Sequence, residues 1–158
     1  MSRSGLVLLA GKGNSHTSLP ALIPITPGFC RFLGYYLSEG CITEERGNPR
    51  IRLTFNRDET EYINDVRQLM AEIGVGVSQH EDHQWHTSQL RVASSLLGYV
   101  LRDVLQTGTD CYTMRIPKPV MQASAVHREQ VLAGLIRGDG DVDVRMGSRP
   151  YSKNGRDY

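Results

Sequence analysis

Two glycine-bearing apolar segments, each stopping at an acid, set the tightest constraint on how this chain can fold. FLGYYLSEG runs from Phe32 to Gly40 and LAGLIRGDG from Leu132 to Gly140. Each reads as the last turns of a helix. Each carries a glycine with a small residue four positions on, Gly34 with Ser38 and Gly134 with Gly138, and then a carboxylate, Glu39 or Asp139. Residues at i and i+4 share a helix face, so each segment offers a stripe where another backbone can approach closely. A helix C-terminus carries partial negative charge, and an acid there is unfavourable unless something positive is bound. If the two stripes pack together, both carboxylates come near one point. A divalent cation with oxygen ligands, such as Mg2+, would then supply the missing charge. Metal held by few protein ligands suits phosphodiester hydrolysis.

Between and around these segments the chain alternates helical and strand periods. Apolar residues at 29, 32, 33, 36 and 37 predict a helix. Strands are expected around Cys41–Glu45 and Arg50–Phe55, joined by the turn sequence RGNP. DETEYINDVRQLMAEIG then predicts a helix. Asp58 and Glu61 form a capping-box pattern, Tyr62, Val66, Leu69, Met70 and Ile73 make its buried stripe, and Gly74 stops it. Two more strands are expected around Val75–Gln79 and Thr87–Ala93, with the turn in HEDHQW. A serine-capped helix follows over SSLLGYVLRDVL, and the loop RIPKP leads to a long helix, AVHREQVLAGLIRG. DVDVRM after Gly140 alternates at strand period. The fold class is α+β: one αββαββα unit with an antiparallel sheet over 28–123, then the first helix and strand of a second unit over 124–158. Residues 1–27 read as a leader or linker. GKGNS at its centre lacks the spacing of a phosphate loop.

These paired segments resemble the motifs of LAGLIDADG homing endonucleases. FLGYYLSEGC is similar to the dodecapeptide (DOD-type) form found in endonucleases embedded in inteins, and RIPKPV ahead of the second motif resembles another intein-endonuclease block. The resemblance implies that Glu39 and Asp139 bind the catalytic metal, Mg2+ or another divalent cation, and that the sheet lies on double-stranded DNA. It implies a site-specific endonuclease that makes double-strand breaks, encoded within an intein or intron. Gly34, Ser38, Gly134 and Gly138 would form the helix interface.

The residues point to DNA independently. In RIRLTF, Arg50, Arg52 and Thr54 alternate with Ile51, Leu53 and Phe55, and in TSQLRVA, Gln89 and Arg91 alternate with Leu90 and Val92. Each strand therefore has one apolar face for the helices and one Arg/Gln face for a partner. Arginine and glutamine can read guanine and adenine edges in the major groove. The formal net charge of +1 announces no global basic field, but a stripe of arginine on one face can be balanced by acids elsewhere.

Two departures from the family pattern matter. Relatives of the intein type often carry a lysine just before the Ile-Pro pair. Here Arg115 stands there and Lys118 just after, so one of these is the expected basic residue near the scissile phosphate. Arginine clamps phosphate well but shuttles protons poorly. The residues after Gly140 are also too few to build a second sheet. The expectation is a unit truncated in its second half, completed by that half or by another chain, and not itself able to splice. Two alternatives use the same fold: a non-catalytic DNA- or RNA-binding module, and an inactive remnant.

Other features carry less. His80, His83 and His86 could suggest zinc, but in a hairpin residues three apart point to opposite faces, so they read as a polar tip or a DNA contact. The three cysteines, Cys30, Cys41 and Cys111, are odd in number and far apart, as expected of thiols in a reducing compartment. The apolar run GLVLLAG is too short to span a membrane. The expected location is therefore intracellular, cytoplasmic or, in a eukaryote, nuclear.

Overall fold

The computed structural model describes residues 7–12, 15–139, 152–153 and 156–157. Its centre is a four-stranded antiparallel sheet made of β3 (Gly40–Glu45), β4 (Asn48–Asn56), β5 (Val77–Asp82) and β6 (Thr87–Val92). The spatial order is β3-β4-β6-β5, so two hairpins join along β4 and β6. The first hairpin turns at Arg46 and Gly47, both at positive φ (52° and 75°). Two left-handed residues make the turn whose twist matches that of the strands, and glycine adopts that conformation without a Cβ penalty.

Helix α1 (Pro27–Glu39) begins where Thr26 Oγ1 accepts the Phe29 N–H at 3.0 Å, with Pro27 in its first turn. Phe29, Phe32, Leu33, Tyr35 and Tyr36 are buried, so α1 is covered on more than one side. Both tyrosines pack in the core: each is 0% exposed, and their hydroxyls donate to Asp65 (2.9 Å) and to the Gly108 carbonyl (2.7 Å). Helix α2 (Thr60–Glu72) buries Ile63, Val66, Leu69 and Met70 and ends before Gly74 at φ 74°. With Ile51, Leu53, Phe55, Leu90 and Val92 these side chains form one core on the inner face of the sheet. The order α-ββ-α-ββ-α is the expected αββαββα arrangement.

Four local expectations need correction. The Asp58–Glu61 capping box does not form. Glu59 is the N-cap residue of α2, without a side-chain cap bond, because Asn56 Oδ1 takes the Asp58 N–H and the Asp58 carboxylate meets His86. The stripe of α2 is also shifted: Ile63 is buried, whereas Tyr62 and Ile73 pack only partly against the core. The helix over SSLLGYVLRDVL is capped by Ser94, as expected, but splits into a short α3 (Ser95–Tyr99) and a π turn (Val100–Val104) closed by Leu105 N–H to Val100 carbonyl. The segment 1–27 is more than a leader. It holds an antiparallel hairpin of β1 (Val7–Lys12) and β2 (Ser15–Pro20), and Leu19 is buried in the core at 1% exposure. The apolar run read as a leader finds a pairing partner in the polar stretch behind it.

After a short α4 (Lys118–Met121), α5 (Ala125–Asp139) carries the second glycine segment back along α1. The strand expected over Asp141–Met146 lies outside the described residues. Beyond it, β7 (Ser152–Lys153) pairs with β8 (Arg156–Asp157). No helix among the described residues is long and apolar enough to cross a membrane.

Candidate functional site

The seam between α1 and α5 is built from backbone. A Cβ placed on Gly34 would come within 2.7 Å of Gly134 Cα and 2.8 Å of Leu135 N; one placed on Gly134 would meet Gly34 Cα and Tyr35 N, both at 2.8 Å. The nearest carbonyls are exchanged in the same sense, Val131 against Gly34 and Arg31 against Gly134. Further along, a Cβ on Gly138 would press on the Ser38 side chain and lie 3.0 Å from Glu39 Cγ. All four expected interface residues thus meet in register at an offset of one hundred positions. Such a register means that the helices run in the same direction and end together.

That parallel ending brings Glu39 and Asp139, the last residues of their helices, to one end of the seam. Burial, reinforced by the charges of Glu59 and Asp139, pushes the Glu39 carboxyl from 4.5 up to about 7. No ion pair reaches Glu39 or Asp139 from any described cation, and α1 has no basic residue in its last turn. Two helix C-termini add their own partial negative charge. The result is a concentration of negative charge without a counter-charge among the described residues, an environment suited to a hard divalent cation. The donor set fits such an ion sparsely: no group of three or more His, Cys, Asp or Glu side chains gathers among the described residues. Remaining ligands would have to be backbone carbonyl, water or substrate oxygen.

A network not foreseen from the sequence braces this arrangement. Arg31 on α1 grips Asp65 of α2 through Nε (2.7 Å) and Nη2 (2.8 Å) and donates Nη1 to Gln130 of α5 (2.7 Å). Tyr35 donates to the same carboxylate, and Arg137 of α5 donates to the Tyr35 hydroxyl at 3.2 Å. One carboxylate thereby links three helices. Its signal in the sequence is faint, because Asp65 and Arg31 look like ordinary solvated helix positions until α5 covers them.

On the outer face of the sheet the expected DNA-contacting residues do share one surface. Along β4, Ile51, Leu53 and Phe55 are buried and alternate with the more accessible Arg50, Arg52 and Thr54. Strand register pairs Arg52 with Arg91 and Thr54 with Gln89. Glu45, overlooked in the sequence, lies on the same face: it accepts a hydrogen bond from Arg52 Nη2 and sits 3.9 Å from Arg50 Nε.

Arg115 Nε donates to the Gln106 carbonyl at 2.7 Å, and no hydrogen bond or ion pair among the described residues joins Arg115 or Lys118 to Glu39 or Asp139. The three histidines do not converge either. His83 meets Arg57 and His86 meets Asp58, at the tip of the β5–β6 hairpin.

Comparison with known proteins places this geometry. Residues 30–103 match the LAGLIDADG-like domain family. Over 144 residues, 88% of the chain, it is 35% identical to an uncharacterized protein of Methanocaldococcus jannaschii. It is 27% identical over 122 residues to an iron-sulfur cluster assembly SufBD family protein of Mycobacterium tuberculosis, and 28% identical over 121 residues to the DNA polymerase II large subunit of Thermococcus kodakarensis; each covers 76% of the chain. The chain spans only a small part of these relatives, 16%, 14% and 6% of their lengths respectively.

Proposed function

Starting from a chain whose residues 30–103 are a LAGLIDADG-like domain, we propose that it is the DNA-cutting portion of a homing endonuclease carried by an intein or intron. The reading rests on one observation above all. Two carboxylates, one from each glycine segment, are delivered to the same end of the seam by parallel helices, without an ion-pair partner among the described residues. In this reading Glu39 and Asp139 hold the divalent cation, Mg2+ in the simplest case. When bound, the cation supplies an activated water and charge stabilisation at the leaving oxygen. The chain's own residues position the substrate. Arg50, Arg52, Thr54, Gln89 and Arg91 meet double-stranded DNA across the sheet, and the Gly34–Gly134 seam fixes the spacing of the two acids.

The relatives support the mobile-element part. An iron-sulfur assembly protein and a DNA polymerase subunit have no named activity in common, yet a segment like this one recurs inside both. That is the behaviour of an inserted element that copies itself between unrelated genes. The exposed apolar residues Leu132 and Ile136 on α5 support the presence of a second unit packed there, because such side chains in a helix of this kind are normally covered.

A second reading has its own observation. Arg115 Nε donates to the Gln106 carbonyl, and among the described residues no ion pair joins a basic side chain to Glu39 or Asp139. That favours a DNA-binding module of the same fold without catalysis. Incubation of supercoiled DNA with the chain and Mg2+ separates the two. Nicking that disappears in Glu39→Gln and Asp139→Asn, with binding retained, supports the endonuclease. Binding without nicking, unchanged by Glu39→Gln, overturns it in favour of the module.

A further inference from the structure

The outer face of the sheet holds a charge arrangement that phosphate binding alone does not explain. Arg52 and Arg91 are directly opposed across β4 and β6, and Arg50 stands two residues before Arg52 on the same face. Three guanidinium groups this close would serve as a plain phosphate clamp. Glu45, from the end of β3, intrudes among them. Its Oε1 accepts from Arg52 Nη2, its Oε2 lies 3.9 Å from Arg50 Nε, and these arginines hold its carboxyl below the ordinary value, so it stays charged. Arg52 Nε is buried and without a partner among the described residues, as is Thr43 Oγ1 on the same face. The bond to Glu45 is the only one the Arg52 guanidinium makes to a described residue.

A carboxylate beside an arginine on a DNA-facing surface has two physical effects. It repels phosphate, which lowers affinity for every sequence alike. It also restricts the guanidinium to one orientation, which favours an edge presenting two acceptors in a fixed geometry. Guanine, with O6 and N7 in the major groove, is that edge, and the N4 amino group of its paired cytosine is the donor of that base pair, from which a carboxylate can accept.

Resting on the DNA reading above, we propose that Glu45 is a positioning residue for sequence recognition: it holds Arg52 on a G·C base pair and keeps it off the phosphate backbone. The Glu45–Arg52 couple, not Arg50 or Arg91, then sets the preference at that base pair. The arginines at 50 and 91 supply sequence-independent attraction.

Selection of bound duplexes from a randomised DNA pool tests this with the 158-residue chain. The wild-type profile is expected to contain a G·C preference that both Glu45→Gln and Arg52→Lys reduce about tenfold at the same base pair, other positions being kept. Glu45→Gln should also bind random-sequence DNA more tightly than wild type. If Glu45→Gln keeps the wild-type profile and changes affinity for all sequences equally, Glu45 is only a charge balance and the proposal fails. If wild type retains nothing from the pool, the DNA function itself falls, and this inference with it. Arg52→Lys keeps the positive charge but loses the fork, so it carries the test should thermal unfolding show that Glu45→Gln is not folded.

Discussion

Gly34 and Gly134 face each other across α1 and α5 with no room for a methyl group on either: a Cβ on one would lie 2.7–2.8 Å from the Cα of the other. The obstructing atoms are backbone, which cannot swing aside. Gly34→Ala or Gly134→Ala should therefore push the helices apart and destabilise the fold by about 1–3 kcal/mol or more. Gly138→Ala should cost less, because Ser38 Oγ and Glu39 Cγ can rotate away and only Ser38 Cβ, 2.8 Å off, requires the helix ends to shift. Denaturant unfolding of the three variants gives the order; equal losses would mean that the seam is not set by backbone contact.

Glu39 makes stability depend on pH in a definite direction. Its carboxyl is raised from 4.5 to about 7 by burial and by Glu59 and Asp139. The folded state resists ionising it, so stability falls as pH rises above about 4.5 and the loss is complete above about 7. The full shift corresponds to about 3 kcal/mol; half-exposure and solvent screening reduce this to about 1–2 kcal/mol. Melting curves of Glu39→Gln against wild type should diverge across that window, with the variant more stable at pH 8.

Divalent cation should act through the same group. Millimolar Mg2+ at pH 8 is expected to raise the melting temperature of wild type and to leave Glu39→Gln and Asp139→Asn unchanged, since a ligand that binds only the folded state stabilises it. Chelator should return wild type to its metal-free value. A shift of equal size in all three proteins would place the cation elsewhere.

Asp65 has the opposite sign. Burial works to raise its carboxyl, but the bidentate Arg31 and the Tyr35 hydroxyl outweigh burial and hold it below 3.8. Its contribution is present above about 3.8 and is lost as pH falls through the lowered folded value. Asp65→Asn removes the negative charge and replaces one of the two oxygens on which Arg31, Tyr35 and Arg137 converge by a donor NH2, and should cost about 2–3 kcal/mol at neutral pH. A loss under about 0.5 kcal/mol in urea unfolding, the range of an ordinary surface change, would show that the network is ornamental to stability.

Arg91 offers a test of the sheet as a DNA surface. Arg91→Ala should weaken binding to all duplex sequences nearly equally and lower the slope of log affinity against log salt by about 1. An unchanged slope would remove Arg91 from the phosphate contacts.

Much of this architecture was legible because it follows from period and spacing. Ile51, Leu53 and Phe55 alternate with Arg50, Arg52 and Thr54, and a period of two leaves only one way to bury them. The glycine pairs at 34 and 134 announced their own contact, since few other reasons place small residues on matching helix faces. What escaped depended on partners distant in sequence. Asp58 looked like a helix cap, but His86, supplied by the β5–β6 hairpin, competes for its carboxylate. Glu45 looked like a turn-flanking acid until β4 brought Arg52 alongside it. The apolar run at Val7–Ala10 read as a leader because its pairing with residues 20 to 17 crosses a polar stretch that carries no strand signal.

The seam of α1 and α5 has a consequence that extends past this chain. Gly34 meets the carbonyl of Val131 while Gly134 meets that of Arg31, so each helix presents the other with the surface it receives. A self-matching surface does not distinguish a partner on the same chain from one on another. What distinguishes them is the covalent connection through the folded unit between Glu39 and Ala125, which keeps α5 at high effective concentration, together with the lopsided grip of Arg31 on Gln130 and of Arg137 on Tyr35. Weaken that grip and two copies could trade helices, α1 with α1, so that the same contacts would hold a dimer of separate chains.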